Sequence, residues 1–245
     1  MIIEEMLKNK KAILFDLDGT ILDDSNIWNE IYIELIRQEC NIEISIEQIN
    51  QDWHDHLKLF KNNDFYKSYV LYLMNKYNKI KKELNADKLR EKLYTIADNY
   101  ICNLVKYKPF APEVIMKLKE KGYKLGLGSI SDSETFKKYN YANTNISNKM
   151  NLFDYFDKIV LYEDVANKKP NPEVYMKLLK ELNLKPEECL IIEDSLSGIQ
   201  AAKNAKIDVL NIPDKGSLKN QNEIDNLADY KVDNLKILLD ILEEI

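Results

Sequence analysis

What the sequence has little of bounds it first. Cysteine occurs three times in 245 residues, at Cys40, Cys102 and Cys189, with no C-x-x-C spacing. So sparse and odd a set excludes a disulfide framework and points to reduced thiols in a cytoplasm. Histidine occurs only at His54 and His56, and arginine only at Arg37 and Arg90. The net charge is −6 and the pI is near 5.2, so the basic footprint of a nucleic-acid binder is missing. No apolar run approaches the length of a bilayer crossing, and the start, Met1 to Glu5, is acidic where a secretory leader would be basic. No internal repeat is present. What remains is 45% hydrophobic and 31% charged, enough for a sizeable core under a solvated surface. The length fits one domain with a large insertion, or two small domains.

The chain is organised around Ala12-Ile13-Leu14-Phe15-Asp16-Leu17-Asp18-Gly19-Thr20. Ala12 to Phe15 is a short apolar run without polar alternation, which predicts a strand buried on both faces of a parallel sheet. Asp16 and Asp18 fall where that strand ends, and in open α/β sheets ligands bind there. Residues two apart on an extended chain point the same way, so both carboxylates can reach one site. Gly19 permits a sharp exit.

Beyond Thr20 the period becomes helical. Ile27, Trp28, Ile31, Tyr32, Leu35 and Ile36 mark one apolar face, and Ser45 with Gln48 starts a helix running towards Phe60. Phe65 to Tyr77 and Leu89 to Leu104 supply two more, so residues 23–107 read as an all-helical insertion. Its aromatic residues read as core. Lys108-Pro109-Phe110-Ala111-Pro112 then leads into a helix over 113–121, ended by Gly122. From there strands over 123–128, 158–161, 189–192 and 207–212 alternate with helices beginning near Ser133, Asn171, Ser197 and Asp233. The fold class is therefore α/β, a doubly wound Rossmann-like parallel sheet with helices on both faces and one inserted helical cap. Residues 1–22 and 108–245 form the core domain and 23–107 the cap.

Polar residues suited to phosphate chemistry follow the strands. They are Asp16 and Asp18, Ser129, Lys169 before Asn171-Pro172, and Glu193-Asp194. The C-terminal edge of a parallel sheet brings such loops together. Four converging carboxylates repel unless a cation sits among them. Hard oxygen ligands with a phosphate partner select Mg²⁺. A transferring phosphoryl group also needs positive charge and donors, which Lys169 and Ser129 supply.

These segments resemble, in order and spacing, the four motifs of the haloacid dehalogenase superfamily. Asp16-Leu17-Asp18-Gly19-Thr20 resembles the first, Gly126 to Ser131 the second, Lys168 to Glu173 the third, and Ile191 to Ala202 the fourth. The match is similar to members with a small helical cap, the group of beta-phosphoglucomutases and sugar-phosphate phosphatases. The resemblance implies Asp16 as nucleophile and Asp18 as general acid/base. It also implies Gly19, Thr20, Ser129 and Lys169 at the phosphate. For Mg²⁺ it implies Asp16, Asp18 through its carbonyl, Asp194, and Glu193 either directly or one shell out.

The expected activity is that of a cytoplasmic Mg²⁺-dependent phosphatase acting on a small phosphorylated metabolite, a sugar or polyol phosphate. The oligomeric state is open and a monomer is compatible with it. A phosphomutase is the alternative within the superfamily, and a non-catalytic sensor of a phosphorylated ligand the alternative outside it. In beta-phosphoglucomutases the position matching Trp28 resembles a proton-managing histidine, and an indole cannot exchange that proton. His54 and His56, two apart on a helix, do not face each other and read as solvated. Gly126 and Gly128 lack the third glycine of a dinucleotide fingerprint and read as relief of crowding. Arg37 and Arg90 read as surface helix residues rather than anion holders.

Overall fold

A computed structural model describes residues 2–59, 65–78 and 85–245. It divides into two compact units, Met1–Ser25 with Val105–Ile245, and Asn26–Leu104. In chain order the elements are α1 (Ile2–Lys8), β1 (Ala12–Phe15), α2 (Ile27–Cys40), α3 (Ile46–Leu59), α4 (Phe65–Tyr77), α5 (Ala86–Asn103) and α6 (Ala111–Glu120). There follow β2 (Lys124–Gly128), α7 (Ser133–Lys137), a π-helical turn (Lys138–Ala142), α8 (Thr144–Ser147), α9 (Leu152–Tyr155), β3 (Lys158–Val160) and α10 (Glu173–Leu182). The last are β4 (Cys189–Glu193), α11 (Leu196–Asn204), β5 (Asp208–Asn211), α12 (Gln221–Leu227), β6 (Tyr230–Lys231) and α13 (Leu235–Glu244).

In the first unit, the described strands form one parallel sheet in the order β3-β2-β1-β4-β5-β6. β1 is central, with Ala12 opposite Lys124 and Cys189 and Phe15 opposite Leu127 and Ile192. All four of its side chains are buried, as its unalternating composition predicts. Ahead of it Lys10 is pinned to Asp208 at 2.7 Å and Lys11 to Glu188 at 2.6 Å, which keeps the flanking charges at the sheet's far edge. Ala12 and Leu14 pack with Val174, Leu178 and Ile199 from α10 and α11. Phe15, on the other face by strand alternation, meets Phe156 edge-on at 5.9 Å. The direction in which successive strands are added reverses between β1 and β4, so the crevice at their C-terminal ends is the ligand position of an open sheet.

The glycines of β2 relieve crowding as expected. A Cβ on Gly126 would lie 2.7 Å from a Leu14 methyl, and one on Gly128 would lie 3.1 Å from Leu178 and Val174. The sequence reading ended the sheet at the 207–212 strand, and that is corrected by β6, which pairs with Leu210 and Asn211. Two residues carry no apolar run to announce a strand. The helices α1 and α12 were likewise without a predicted counterpart.

The second unit is helical among its described residues. The buried stripe of α2 is Ile31, Tyr32, Leu35, Ile36 and Cys40. Trp28, expected on that face, is 41% exposed, with its ring centroid 6.3 Å from that of Tyr32. Tyr69 is core, with Tyr32 and Trp53 each edge-on at 4.9 Å. His56 was expected to be solvated and is instead fully buried against Tyr69 and Tyr72, with its Nε2 3.0 Å from Ser68 Oγ. Its neighbour His54 is exposed. Arg37 forks onto Glu34 and Arg90 lies over Tyr94, as surface helix residues do. Phe60, the expected end of the α3 segment, lies outside the described residues. The three cysteines form no disulfide.

Candidate active site

Each site residue is delivered by a short local device. After β1 the backbone of Asp16 still donates to Ile192 O at 3.0 Å, so the sheet ladder fixes where that carboxylate starts. The carbonyl of Leu17 then accepts from the amides of Thr20, Ile21 and Leu22. Closing so tight a turn puts Gly19 at φ +82°, where a Cβ would stand 2.7 Å from Asp194 Oδ2. Only glycine allows the two loops to approach this closely. The loop carrying Lys169 is strapped to α10, because the Glu173 carboxylate accepts from the amides of Ala166 and Asn167. Lys168 ties the same loop to the Tyr162 and Val165 carbonyls. At the end of β4, Ser195 caps α11 by accepting from Gly198 N at 3.1 Å, which turns the chain just after Glu193-Asp194.

The side chains converge. Lys169 Nζ lies 2.6 Å from Asp16 Oδ1 and 2.7 Å from Glu193 Oε1, with its side chain almost wholly buried. Ser129 and Ser131 both donate to Asp18 Oδ2, at 2.9 and 2.7 Å. Thr20 donates to Asp194 Oδ1 and Ser217 to Asp194 Oδ2, each at 3.0 Å. One carboxylate oxygen each from Asp16, Glu193 and Asp194 lies within 4.8 Å of the others.

The electrostatics follow from that crowding. Burial raises the Asp16 carboxyl well above its usual range, and the Glu193 charge adds to this while Lys169 opposes it. Burial and then the Glu193 charge raise Asp194 to about 7. Lys169 resists the lowering effect of burial because Asp16 and Glu193 hold its proton. One ammonium does not balance the carboxylates around it, so the donor set suits a divalent cation bound through oxygen.

Asp16, Asp18, Ser129, Lys169, Glu193 and Asp194 are thus brought together. Two of the expected placements differ in detail, and a third is narrowed. Thr20, expected at the phosphate, is fully buried with its hydroxyl turned to Asp194. The amide of Gly19, also expected there, donates to Asp24 Oδ1 at 3.0 Å. Glu193, expected at the metal either directly or one shell out, has both oxygens engaged by protein donors: Lys169 and Tyr175 on Oε1, and the Asp194 amide with the Ser195 amide and hydroxyl on Oε2. Asp24, Ser131, Tyr175 and Ser217 belong to the site and went unread. Asp24 is buried and takes the Tyr139 hydroxyl as well as the Gly19 amide. Ser131, two residues beyond Ser129, carried the signal that also linked Asp16 with Asp18. Ser217 had none.

Comparison with known proteins agrees with this geometry. The description "Haloacid dehalogenase-like hydrolase" matches residues 13–212. The phosphoglycolate phosphatase of Aquifex aeolicus is 30% identical over 199 residues, covering 80% of this chain and 81% of that protein. The phosphorylated carbohydrates phosphatase of Thermotoga maritima is 27% identical over 199 residues, covering 81% and 82%. Among solved structures, a beta-phosphoglucomutase from Clostridium difficile superposes with a TM-score of 0.60 at 22% identity, covering 96% of this chain and 98% of that one. That likeness speaks for the fold. The chain belongs to the haloacid dehalogenase-like hydrolases and is a phosphomonoesterase of that family.

Proposed function

We propose that this phosphatase hydrolyses a sugar or polyol phosphate in the cytoplasm, using Mg²⁺ and an aspartyl-phosphate on Asp16. The observation that carries the reading is that two carboxylates on one short turn are given different partners. Asp16 is buried against the Lys169 ammonium, and Asp18 is held by two serine hydroxyls. Environments that differ in this way assign different roles to neighbouring carboxylates.

In the first half-reaction an Asp16 oxygen forms a bond to phosphorus as the ester oxygen leaves, taking its proton from Asp18. In the second, water attacks the same phosphorus, gives its proton to Asp18, and the bond to Asp16 breaks. Lys169 stays charged throughout and offsets the negative charge gathering at Asp16 and the phosphoryl oxygens. Ser129 and Ser131 hold Asp18 in register. Asp16, Asp194 and the Asp18 carbonyl are the residues to hold Mg²⁺, with Thr20 and Ser217 fixing Asp194. When bound, the cation would lower the charge repulsion between phosphate and carboxylates. Hydrolysis is taken over phosphoryl shuttling from the resemblance alone, because the position matching the mutases' proton-managing histidine is Trp28, whose indole does not titrate at physiological pH.

A screen of phosphorylated metabolites for Mg²⁺-dependent phosphate release tests this, run beside β-glucose 1-phosphate with a bisphosphate primer. Free phosphate is expected to outpace glucose 6-phosphate. The reverse order would make the protein a mutase, and silence across a broad panel would leave a sensor.

Asp194 gives a second test. Its carboxyl is raised to about 7 in the fold from 3.8, so the folded state binds the proton more tightly than the unfolded chain. The favourable state is the protonated one, and this contribution is lost as pH rises from about 4 to about 7. Metal binding requires the charged form. The Tm gained on adding saturating Mg²⁺ is therefore expected to be several degrees larger at pH 8 than at pH 5. Taking the difference with and without Mg²⁺ cancels titrating groups whose protonation the metal does not change. An equal gain at both pH values would remove Asp194 from the metal set.

A further inference from the structure

Tyr175 has a place in the site that its position on a helix did not announce. It lies on the first turn of α10, three residues after Pro172, and is fully buried. Its hydroxyl donates to Glu193 Oε1 at 3.0 Å, the same oxygen that Lys169 Nζ approaches at 2.7 Å. Its ring centroid is 4.9 Å from that Nζ. The room for the ring comes from β2, since a Cβ on Gly128 would stand 3.3 Å from Tyr175 Cε1. One phenol side chain therefore touches both the base on which Lys169 rests and the ammonium itself.

We propose that Tyr175 is a positioning residue which, through Glu193, holds the Lys169 ammonium against Asp16. A lysine ends a four-carbon stem with several rotatable bonds, and its charge stays in one place only if the site supplies every contact. Two contacts of Nζ are the Asp16 and Glu193 carboxylates, and the ring is a third, within reach of a cation–π interaction. Glu193 can serve as that base because its other oxygen is fixed by the Asp194 amide and by the amide and hydroxyl of Ser195. Its carboxylate is spent on protein donors. Tyr175 donates the one side-chain hydroxyl that Oε1 receives; without it, Oε1 is left with Lys169 alone. Core packing by itself would need the ring and not the hydroxyl. The proposal rests on the aspartyl-phosphate reading for its catalytic consequence, but the geometry it asserts exists without metal or substrate.

The experiment uses Tyr175→Phe, which keeps the ring and the volume, in the full chain. In metal-free wild-type protein, a lysine ammonium held in three contacts is expected to exchange slowly and give a ¹H–¹⁵N ammonium signal, identified as the one missing in Lys169→Met. That signal is expected to vanish in Tyr175→Phe. With p-nitrophenyl phosphate and Mg²⁺, kcat is expected to fall roughly ten- to a hundredfold, the scale of a lost hydrogen bond to a charged group, while KM moves less than about threefold. Gly128→Ala, which crowds the ring from β2, is expected to weaken the same signal. A Tyr175→Phe protein that keeps the signal and a kcat within about twofold of wild type overturns the proposal. Absence of turnover by the wild type would instead strike the functional reading, and the ammonium signal alone would then decide the positioning.

Discussion

Asp16→Asn is expected to abolish phosphate release, by at least about 10⁴-fold, the scale of losing a covalent nucleophile. The substitution keeps the shape of the side chain, and the backbone that carries it is fixed by the bond from its amide to Ile192. An asparagine oxygen still accepts from Lys169, so the ammonium keeps a partner at the position now 2.6 Å away. What disappears is the negative charge that attacks phosphorus. Burial and the neighbouring Glu193 already disfavour that charge, so its loss is not expected to unfold the protein. The measurements are single-turnover phosphate release and a near-ultraviolet circular dichroism spectrum. A correctly folded, chemically pure variant retaining more than about one per cent of wild-type turnover would end the aspartyl-phosphate mechanism.

The second large effect is expected at Gly198→Ala. A Cβ there would fall 1.6 Å from Glu193 Oε1 and 1.9 Å from its carboxyl carbon. No rotation of a methyl relieves such an overlap, and the carboxylate cannot yield without dropping its five donors. Displacing it leaves Lys169 buried with one carboxylate fewer, and breaking a buried charge pair costs about 3 to 5 kcal/mol. Urea unfolding is expected to show that loss, together with near-complete loss of activity. Gly122→Ala is the control. Gly122 has φ +86° but nothing within 4 Å of a Cβ, so the strain of a left-handed alanine alone, about 1 to 2 kcal/mol, is expected with activity unchanged. Gly198 is helical and has no positive φ, so a loss there no larger than that of Gly122→Ala would show that the Glu193 carboxylate yields without losing its donors.

Much of the sheet was legible because its strands are buried on both faces and read as apolar runs, Ala12–Phe15 and Cys189–Ile192 above all. The candidate site was legible where a carboxylate or serine closely follows such a run, as at Asp16, Ser129 and Asp194. Legibility failed where a residue's work depends on a neighbour far along the chain. Tyr175 sits at a helical core position, and its phenol only acquires meaning once β4 sets Glu193 beside it. Thr20 reads as a phosphate donor until Asp194 appears within 3.0 Å of its hydroxyl. His56 and Trp28 exchanged their expected environments because helical spacing gives the width of an apolar face but not its bearing. The edge strand β6 is too short for any period to show.

The pairing of β1 has a consequence for how the protein is made. Ala12 leaves the ribosome well before its partners Lys124 and Cys189, which follow only after the whole helical unit Asn26–Leu104 has been synthesised. The helical unit depends on near-sequence contacts and can acquire structure as it emerges. The apolar strand ahead of it cannot: it waits for β2 beside it, for Phe156 and α10 over its faces, and last for β4 along its other edge. Nascent chains arrested before Cys189 should therefore be the ones that chaperones and proteases seize, with cleavage falling on the first unit's fragments and sparing the helical one.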